Sequence, residues 1–250
     1  MKMTRKHWLV AGLTALAWSG HTRAWAQGGG APSANAAPAF RALIGSVSGI
    51  YRDYARSDAK DVERNLGKTT LTGTEVQVAG SRSSYELELS TRLLTPKDTP
   101  WWSKRNETNL ALSYYWPKFR HIQPILGLTR ITQTGDQDQD DAPPAFIDIN
   151  TAAILGLKTS VTVYSFGTHG FLGQGRIAYN TTFEKVRNFG DESYLGLGYF
   201  FATGKFRAAL VAGQLRSFFR AEKAEEDPED GFLTVRDTYV VNRFGLYMEY

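Results

Sequence analysis

The 250-residue chain contains no cysteine, and after its first 26 residues it contains no long apolar run. Without cysteine it forms no disulfides, no thiolate zinc site and no cysteine nucleophile, and it lacks the lipid-modified cysteine of a lipoprotein. A membrane-spanning helix needs about 20 mostly apolar residues, so none is predicted beyond residue 26. A mostly disordered chain is also excluded, because 42% of the residues are hydrophobic and only 22% are charged.

The first 26 residues have the pattern of a secretory signal peptide. Basic residues precede an apolar run at 8–18 (WLVAGLTALAW), and Ala24-Trp25-Ala26 follows as a small-x-small site. The apolar run is too short to serve as a mature membrane-spanning helix, which disfavours a retained anchor. The sequence therefore predicts export, with cleavage before Gln27.

The net positive charge of the chain comes from this signal peptide. The chain has 29 basic and 25 acidic side chains, and four of the basic ones lie in the signal peptide: Lys2, Arg5, Lys6 and Arg23. The mature chain is left with 25 of each and no formal net charge. Nucleic acid is not expected as a partner, because its binding depends on an excess of basic side chains.

The mature chain alternates in polarity with a period of two. Tyr85, Leu87 and Leu89 share one face of an extended segment, whereas Glu86 and Glu88 share the other. Such alternation is typical of β-strands with one apolar face. It predicts about ten strands, at 42–55, 68–80, 84–95, 106–117, 119–133, 146–165, 172–187, 192–203, 205–220 and 236–250. The sixth segment is long for one strand and could also be two strands that turn at Lys158-Thr159.

The connections between these segments predict how the strands are arranged. Long polar connections at 56–67, 96–105, 134–145 and 221–235, with a shorter one at 188–191, alternate with tight ones at 80–83, 117–118, 167–170 and 203–204. This pattern is typical of a closed antiparallel up-and-down transmembrane β-barrel, here with about 10 strands and a range of 8–12. We expect a signal peptide at 1–26, a flexible Gly/Pro/Ala-rich lead-in at 27–40 and the barrel at 41–250.

Two observations favour a bilayer over water as the surroundings of the barrel. The less apolar face carries charges of both signs, which suits a polar lumen, and aromatic residues cluster at predicted strand ends, as in interfacial girdles. The mean hydropathy of the chain is low, at −0.33, as expected for a membrane barrel in which only every second strand residue faces lipid. The expected lumen-lining charges are Glu86, Glu88, Arg92, Arg176, Glu184, Arg243 and Glu249. The expected girdle residues are Trp101-Trp102, Tyr114-Tyr115-Trp116, Phe200-Phe201 and Phe218-Phe219.

Residues 243–250 (RFGLYMEY) carry a family resemblance. They resemble the C-terminal assembly signal of bacterial outer-membrane β-barrel proteins, through Gly245, the alternating residue Met248 and the terminal aromatic Tyr250. The signal more often ends in phenylalanine. The resemblance implies recognition by the barrel-assembly machinery and residence in the bacterial outer membrane, in contact with its lipid and lipopolysaccharide.

Candidate chemical sites are few. His121 and His169 are the only histidines of the mature chain, and neither belongs to an Asp/His or His/Ser pattern of outer-membrane enzymes. No catalytic residue and no cofactor is predicted. Asp136, Asp138 and Asp140 are weak candidates for Ca²⁺ binding, but their loop lacks the glycine and the closing glutamate of an EF-hand, which favours a solvated acidic loop.

The sequence thus predicts an integral outer-membrane barrel with a narrow or plugged polar lumen. Eight-stranded barrels fill their own interior and sixteen-stranded ones leave a wide channel, so ten strands predict no general porin activity. A structural, surface-interaction or small-solute role is expected. An outer-membrane enzyme acting on lipid or peptide, and a soluble exported barrel that binds a small apolar ligand, are the alternatives. The oligomeric state is left open.

Overall fold

Ten strands account for nearly all the residues that the computed structural model describes, which are 39–57, 62–97, 103–116, 121–134, 151–182, 187–224 and 232–250. The strands are β1 (Phe40–Ser57), β2 (Val62–Arg82), β3 (Tyr85–Pro96), β4 (Lys104–Tyr114), β5 (Gln123–Thr134), β6 (Ala152–Phe166), β7 (His169–Thr182), β8 (Arg187–Thr203), β9 (Phe206–Ala224) and β10 (Phe232–Glu249). Within these ranges no helix is long and apolar enough to cross a membrane.

The strands form a closed antiparallel barrel in which each strand pairs with its neighbours in sequence and β1 pairs with β10. This confirms the predicted fold and the number of strands. The sixth segment is one strand, β6, and it does not turn at Lys158-Thr159. Several strands exceed their predicted bounds; β2, for example, begins at Val62 rather than at 68. A ladder is held by backbone hydrogen bonds, so pairing continues where the alternation of polarity has ended.

The two ends of the barrel differ. At one end, called the turn end here, Phe40 and Tyr250 exchange two backbone hydrogen bonds of 3.0 and 2.9 Å. The same end carries the two-residue turns between β2 and β3, β6 and β7, and β8 and β9. Ser83, Gly167 and Gly204 occupy these turns with φ near +60°, the left-handed conformation that tight hairpins require. The β4–β5 connection, residues 115–122, is at this end too, and it is longer than the tight link predicted at 117–118. The other five connections are at the opposite end, called the loop end.

The wall of the barrel has its apolar side outward. Along β3 exposed and buried residues alternate strictly: Leu87 and Leu89 are about half exposed on the outer face, whereas Glu86, Glu88 and Arg92 are buried on the inner face. Other strands repeat this arrangement, with exposed Leu110, Leu126, Leu155, Leu195 and Leu246 on the outer wall. A barrel that folds in water has the reverse sidedness.

The interior is not lined by charges alone. One apolar cluster comprises Val47, Tyr51, Leu71, Leu94, Tyr194, Leu215, Tyr239 and Val241. A second cluster comprises Leu43, Leu172, Phe200, Ala209, Val211 and Tyr247. Both are packed inside the barrel, so apolar side chains fill part of the lumen between the charged ones.

Aromatic residues encircle part of the turn end, although not all those predicted. On the outer wall, the Tyr85 and Tyr114 ring centroids lie 5.2 Å apart, and His169 stacks on Tyr199 and lies beside the tilted ring of Phe201. The prediction is wrong for Phe200 and Tyr115. Successive strand residues point to opposite faces, so Phe200 is buried in the second apolar cluster, and Tyr115 reaches Glu86 inside the barrel. Trp101, Trp102 and the side chain of Phe219 lie outside the described residues, and Phe218 is half-buried.

Candidate functional site: a network of charges in the lumen

Arg92 is the centre of a buried network of charged side chains. It projects inward from β3 and only 4% of it is exposed. Its Nη1 atom donates to Glu107 Oε2 at 2.7 Å and to Glu192 Oε2 at 3.3 Å, and its Nη2 atom donates to Glu75 Oε1 at 3.3 Å. One guanidinium therefore joins carboxylates from three other strands, β2, β4 and β8.

The carboxylates around Arg92 each have further partners. Glu75 accepts from Arg243 Nη1 at 3.2 Å, and the Arg243 guanidinium lies 3.6 Å from the centroid of the Tyr194 ring. Glu107 accepts from Tyr239 Oη at 2.7 Å, and its other oxygen is 2.8 Å from Arg105 Nε. Each buried carboxylate is thus paired and hydrogen-bonded, as charges removed from water must be.

A second branch leads from Arg92 towards the turn end. Glu192 lies 3.5 Å from Arg176 Nε, and Arg176 Nη1 donates to Glu88 at 3.1 Å. Lys158 then bridges Glu88, at 2.7 Å, to Glu86. The branch links β8, β7, β3 and β6 across the lumen.

The network ends close to the turn end. Glu86 lies 3.4 Å from Arg41 Nη1 and accepts from Tyr115 Oη at 2.9 Å. Burial raises the pKa of Tyr115, which lies just outside β4, and the negative charge of Glu86 raises it further against the opposing effect of Arg41. The phenol therefore stays protonated and remains a donor. Nearby, Glu249 pairs with Arg207 at 2.9 Å and accepts from Tyr247 at 2.7 Å.

The described network contains one more basic than acidic side chain. The seven basic members are Arg41, Arg92, Arg105, Lys158, Arg176, Arg207 and Arg243, and the six acidic members are Glu75, Glu86, Glu88, Glu107, Glu192 and Glu249. All lie on the inward face. The network fills the lumen with side chains at hydrogen-bond distance and leaves no wide channel between the described strands.

The structure brings together six of the seven residues that the sequence nominated for the lumen; the seventh, Glu184, lies outside the described residues. The lumen list predicted from the sequence lacks the other seven members of the network, which are Arg41, Glu75, Arg105, Glu107, Lys158, Glu192 and Arg207. Their positions in the alternating pattern are the signal that could have identified them. Glu107 is separated by an even number of residues from the inward residues of β4. Arg105 lies two residues before Glu107, just ahead of residue 106, where the strand is predicted to begin. Lys158 lies where the sequence also allows a turn, so the alternation alone does not assign it to a face.

A cavity remains inside this network. Its volume is about 70 Å³, and among its lining residues are Arg92, Arg243, Lys158, Arg176 and Tyr194. A water molecule needs only about 10–15 Å³ measured in this way, so the cavity has room for a few molecules of that size. It is too small for the solutes that a general porin passes.

The histidines and the predicted metal site are separate from this network. His121 is exposed, and His169 lies on the outer wall with Nδ1 3.0 Å from the Tyr199 hydroxyl. Asp136, Asp138 and Asp140 lie outside the described residues. Among the residues that are described, no group of three or more His, Asp or Glu side chains is arranged to hold a metal ion.

The segment that resembles an assembly signal forms the end of β10. Gly245 pairs with Gly45 of β1, Met248 is largely covered, and Tyr250 is 59% exposed at the turn end. The alternating residues Phe244 and Leu246 are on the outer wall, as the pattern expects. Recognition of this segment by the assembly machinery stays a prediction.

Comparison with known proteins finds similarity only among solved structures. No family model matches the chain, and no curated protein matches it. The crystal structure of the outer membrane protease OmpT from Escherichia coli aligns with 84% of this chain and 96% of its own, at 6% identity and a TM-score of 0.43. A Pseudomonas aeruginosa FadL homologue aligns with 84% of this chain and 90% of its own, at 8% identity and a TM-score of 0.25. Neither likeness bears on the activity of this chain.

Proposed function

We propose that this protein is an integral outer-membrane β-barrel with a closed polar lumen and a structural or surface-interaction role. The sidedness of the wall carries this proposal. Leu89, Leu110 and Leu128 lie side by side on β3, β4 and β5, each almost half exposed, and they form part of a continuous apolar outer surface. Such a surface is stable against lipid tails and would aggregate in water.

The filled lumen supports a role other than the general diffusion of solutes through the barrel. Arg92 and its carboxylates occupy the middle of the barrel, and the apolar cluster around Leu71, Leu94 and Leu215 adds packed side chains there. Any hydrated solute would have to separate ion pairs that are removed from water. A general porin instead leaves an aqueous channel, which needs more strands than ten. Passage is therefore restricted to species of about the size of water or a small ion.

The orientation of the barrel follows from the same proposal. If Phe40 and Tyr250, which meet at the turn end, are on the periplasmic side, the turn end faces the periplasm and the loop end faces the cell exterior. The connections at the loop end, including the one between β5 and β6 that contains the acidic residues 136–141, would then be presented at the cell surface. Interaction with neighbouring lipopolysaccharide or with surface partners is the role that these connections favour.

Membrane fractionation and planar-bilayer recording test the proposal together. A tag placed after Gln27, rather than after Tyr250, leaves the assembly signal free. We expect the processed protein in the outer-membrane fraction, soluble only with detergent, with gel mobility that changes on heating. In planar bilayers the purified barrel should show little or no conductance. Release without detergent would overturn the membrane assignment, and large stable steps on the nanosiemens scale would overturn the closed lumen.

The sidedness of the wall disfavours the alternative of a soluble barrel that binds an apolar ligand. Its lumen would be apolar and its surface polar, whereas Glu86, Glu88 and Arg92 are inside and Leu87 and Leu89 are outside. The enzyme alternative receives no support from the described residues, because His169 packs among aromatic rings on the outer wall.

A further inference from the structure

The ladder between β5 and β6 is the shortest in the described part of the wall. It pairs residues 123–129 of β5 with residues 152–158 of β6, seven on each strand, whereas every other described ladder pairs ten or more. Ile122 and Thr151 come next at its two ends, and neither is a strand residue. Because each ladder is held by its backbone hydrogen bonds, this one has the fewest bonds to hold it.

The strand β5 also contributes no side chain to the charge network. Its only charged residue is Arg130, which is exposed, and the residues that it buries on its inner face are glutamine, isoleucine and threonine. Each of the other nine strands supplies at least one member of the network. None of the ion pairs described in the lumen therefore has to break when β5 separates from β6.

The charge network joins the strands on either side of β5 to each other. Lys158 of β6 donates to Glu88 of β3 at 2.7 Å, and Arg176 of β7 donates to Glu88 at 3.1 Å. Arg92 of β3 in turn donates to Glu107 of β4 at 2.7 Å. These contacts cross the lumen and bypass β5, so they hold β3, β4, β6 and β7 in place when the β5–β6 ladder separates.

The side chains on both sides of this ladder are apolar. Ile125 of β5, Ile154 of β6 and Ala178 of β7 form a separate buried cluster on the inner face. On the outer face, Leu126 and Leu155 are opposite each other in the ladder and are 62% and 64% exposed. Separation of the two strands thus exposes apolar side chains to lipid. Unpaired backbone groups are costly in lipid, so the cost of opening is lowest where the ladder is shortest.

We propose that the wall of the barrel opens sideways at the β5–β6 ladder, by local separation of these two strands, while the charge network keeps the rest of the barrel closed. Proteins open locally where few bonds and few buried contacts hold a segment. The ladder ends at Lys158, which also lines the lumen cavity, so the opening borders that cavity. Its direction, towards the bilayer, rests on the membrane setting proposed above.

Hydrogen exchange of the backbone amides tests this opening, with residue resolution by NMR on the folded barrel in detergent micelles. At the middle of each ladder, the amides that bond across β5–β6 should exchange at least about tenfold faster than those that bond across β3–β4. Equal protection of the two ladders would overturn the proposal. Exchange that occurs only through global unfolding, at one rate for all ladders, would overturn it as well.

Engineered disulfides assign the exchange to this ladder, since the chain has no cysteine of its own. Leu126→Cys combined with Leu155→Cys joins the two strands, because directly opposed residues have the Cα separation that a disulfide needs. Oxidation should remove most of the excess exchange, and reduction should restore it. Leu89→Cys combined with Leu110→Cys is the matched control on β3 and β4, and it should leave exchange across β5–β6 unchanged.

A second pair of positions covers the case in which the first double variant does not fold. Leu128→Cys combined with Ala153→Cys crosses the same ladder. Unchanged exchange after the cross-link has formed would overturn the proposal, as would equal slowing by the control pair. These measurements need only the folded barrel in detergent, so they can fail while the outer-membrane assignment and the low axial conductance stand, and the reverse also holds.

Discussion

Replacing Arg92 with methionine tests whether the lumen charges are truly removed from water. The substitution keeps an unbranched side chain of similar length and deletes the one guanidinium shared by Glu75, Glu107 and Glu192. Removal of one partner from a buried ion pair costs about 3–5 kcal/mol, because it leaves the other charge unpaired. Each of the three carboxylates retains another cation, so we expect a loss of stability of about 3 kcal/mol, at the lower end of that range.

The measurement is urea unfolding in detergent or lipid vesicles, followed by tryptophan fluorescence and by heat-dependent gel mobility. Arg82→Met serves as the control, because an exposed surface substitution should change stability by less than about 0.5 kcal/mol. Adding Glu107→Gln to Arg92→Met should recover part of the loss, with a coupling energy of about 0.5–3 kcal/mol between the two positions.

A small effect would refute this reasoning. In a wide, water-filled lumen the Arg92 pairs would behave as exposed salt bridges, which contribute only about 0–1 kcal/mol each. A cost for Arg92→Met no larger than that of Arg82→Met would therefore mean that the network is hydrated. The proposal of a closed lumen would then have to be abandoned together with the expected low conductance.

Three further predictions concern the wall, its seam and the signal peptide. Gly49→Ala should impair folding of the barrel, because the added methyl group would collide with the Val240 carbonyl across the β1–β10 seam. Gly80→Ala should fold normally, because the space around its Cβ position is open. The heat-modifiable gel band of the folded barrel is the measurement for both variants. Leu110→Arg should destabilise the barrel in lipid vesicles by about 2–4 kcal/mol, as expected for a charge that faces the bilayer centre. The control variant Leu110→Ala should destabilise the barrel much less. If the arginine has no effect on stability, this wall faces water. N-terminal sequencing of the exported protein should begin at Gln27, and a retained Trp8–Trp18 segment would contradict cleavage.

The alternation of polarity was enough to predict the fold and the inner face of the wall. Glu86, Glu88 and Arg92 share the inner face because successive residues of a strand point to opposite faces, so every second residue points the same way. The same rule corrects the girdle prediction: Phe200 and Phe201 are adjacent, so only Phe201 can face outward. Adjacent aromatic residues at a strand end therefore predict one ring on each side of the wall.

The partners of each charge could not be predicted from the sequence. Arg92 contacts Glu192, which is 100 residues away, and Tyr239, which is 147 residues away. These contacts cross the lumen, and they depend on the tilt and the stagger of all ten strands. The local pattern specifies which face a residue occupies and does not specify its depth along the barrel axis. The cavity beside Arg243 and Tyr194 is a consequence of those depths.

The β1–β10 seam has a consequence for the order of events in folding. It joins Arg41 to Glu249 and continues to Ser57 and Leu233, so its partners are the most distant in the chain. Every other pairing joins strands that follow one another and can begin as a local hairpin, but this one has to wait until β10 is present. Until then β1 and the preceding strand, β9, each present an unsatisfied edge. A premature stop codon that removes β10 should therefore give no partly functional barrel, only an open sheet prone to aggregation.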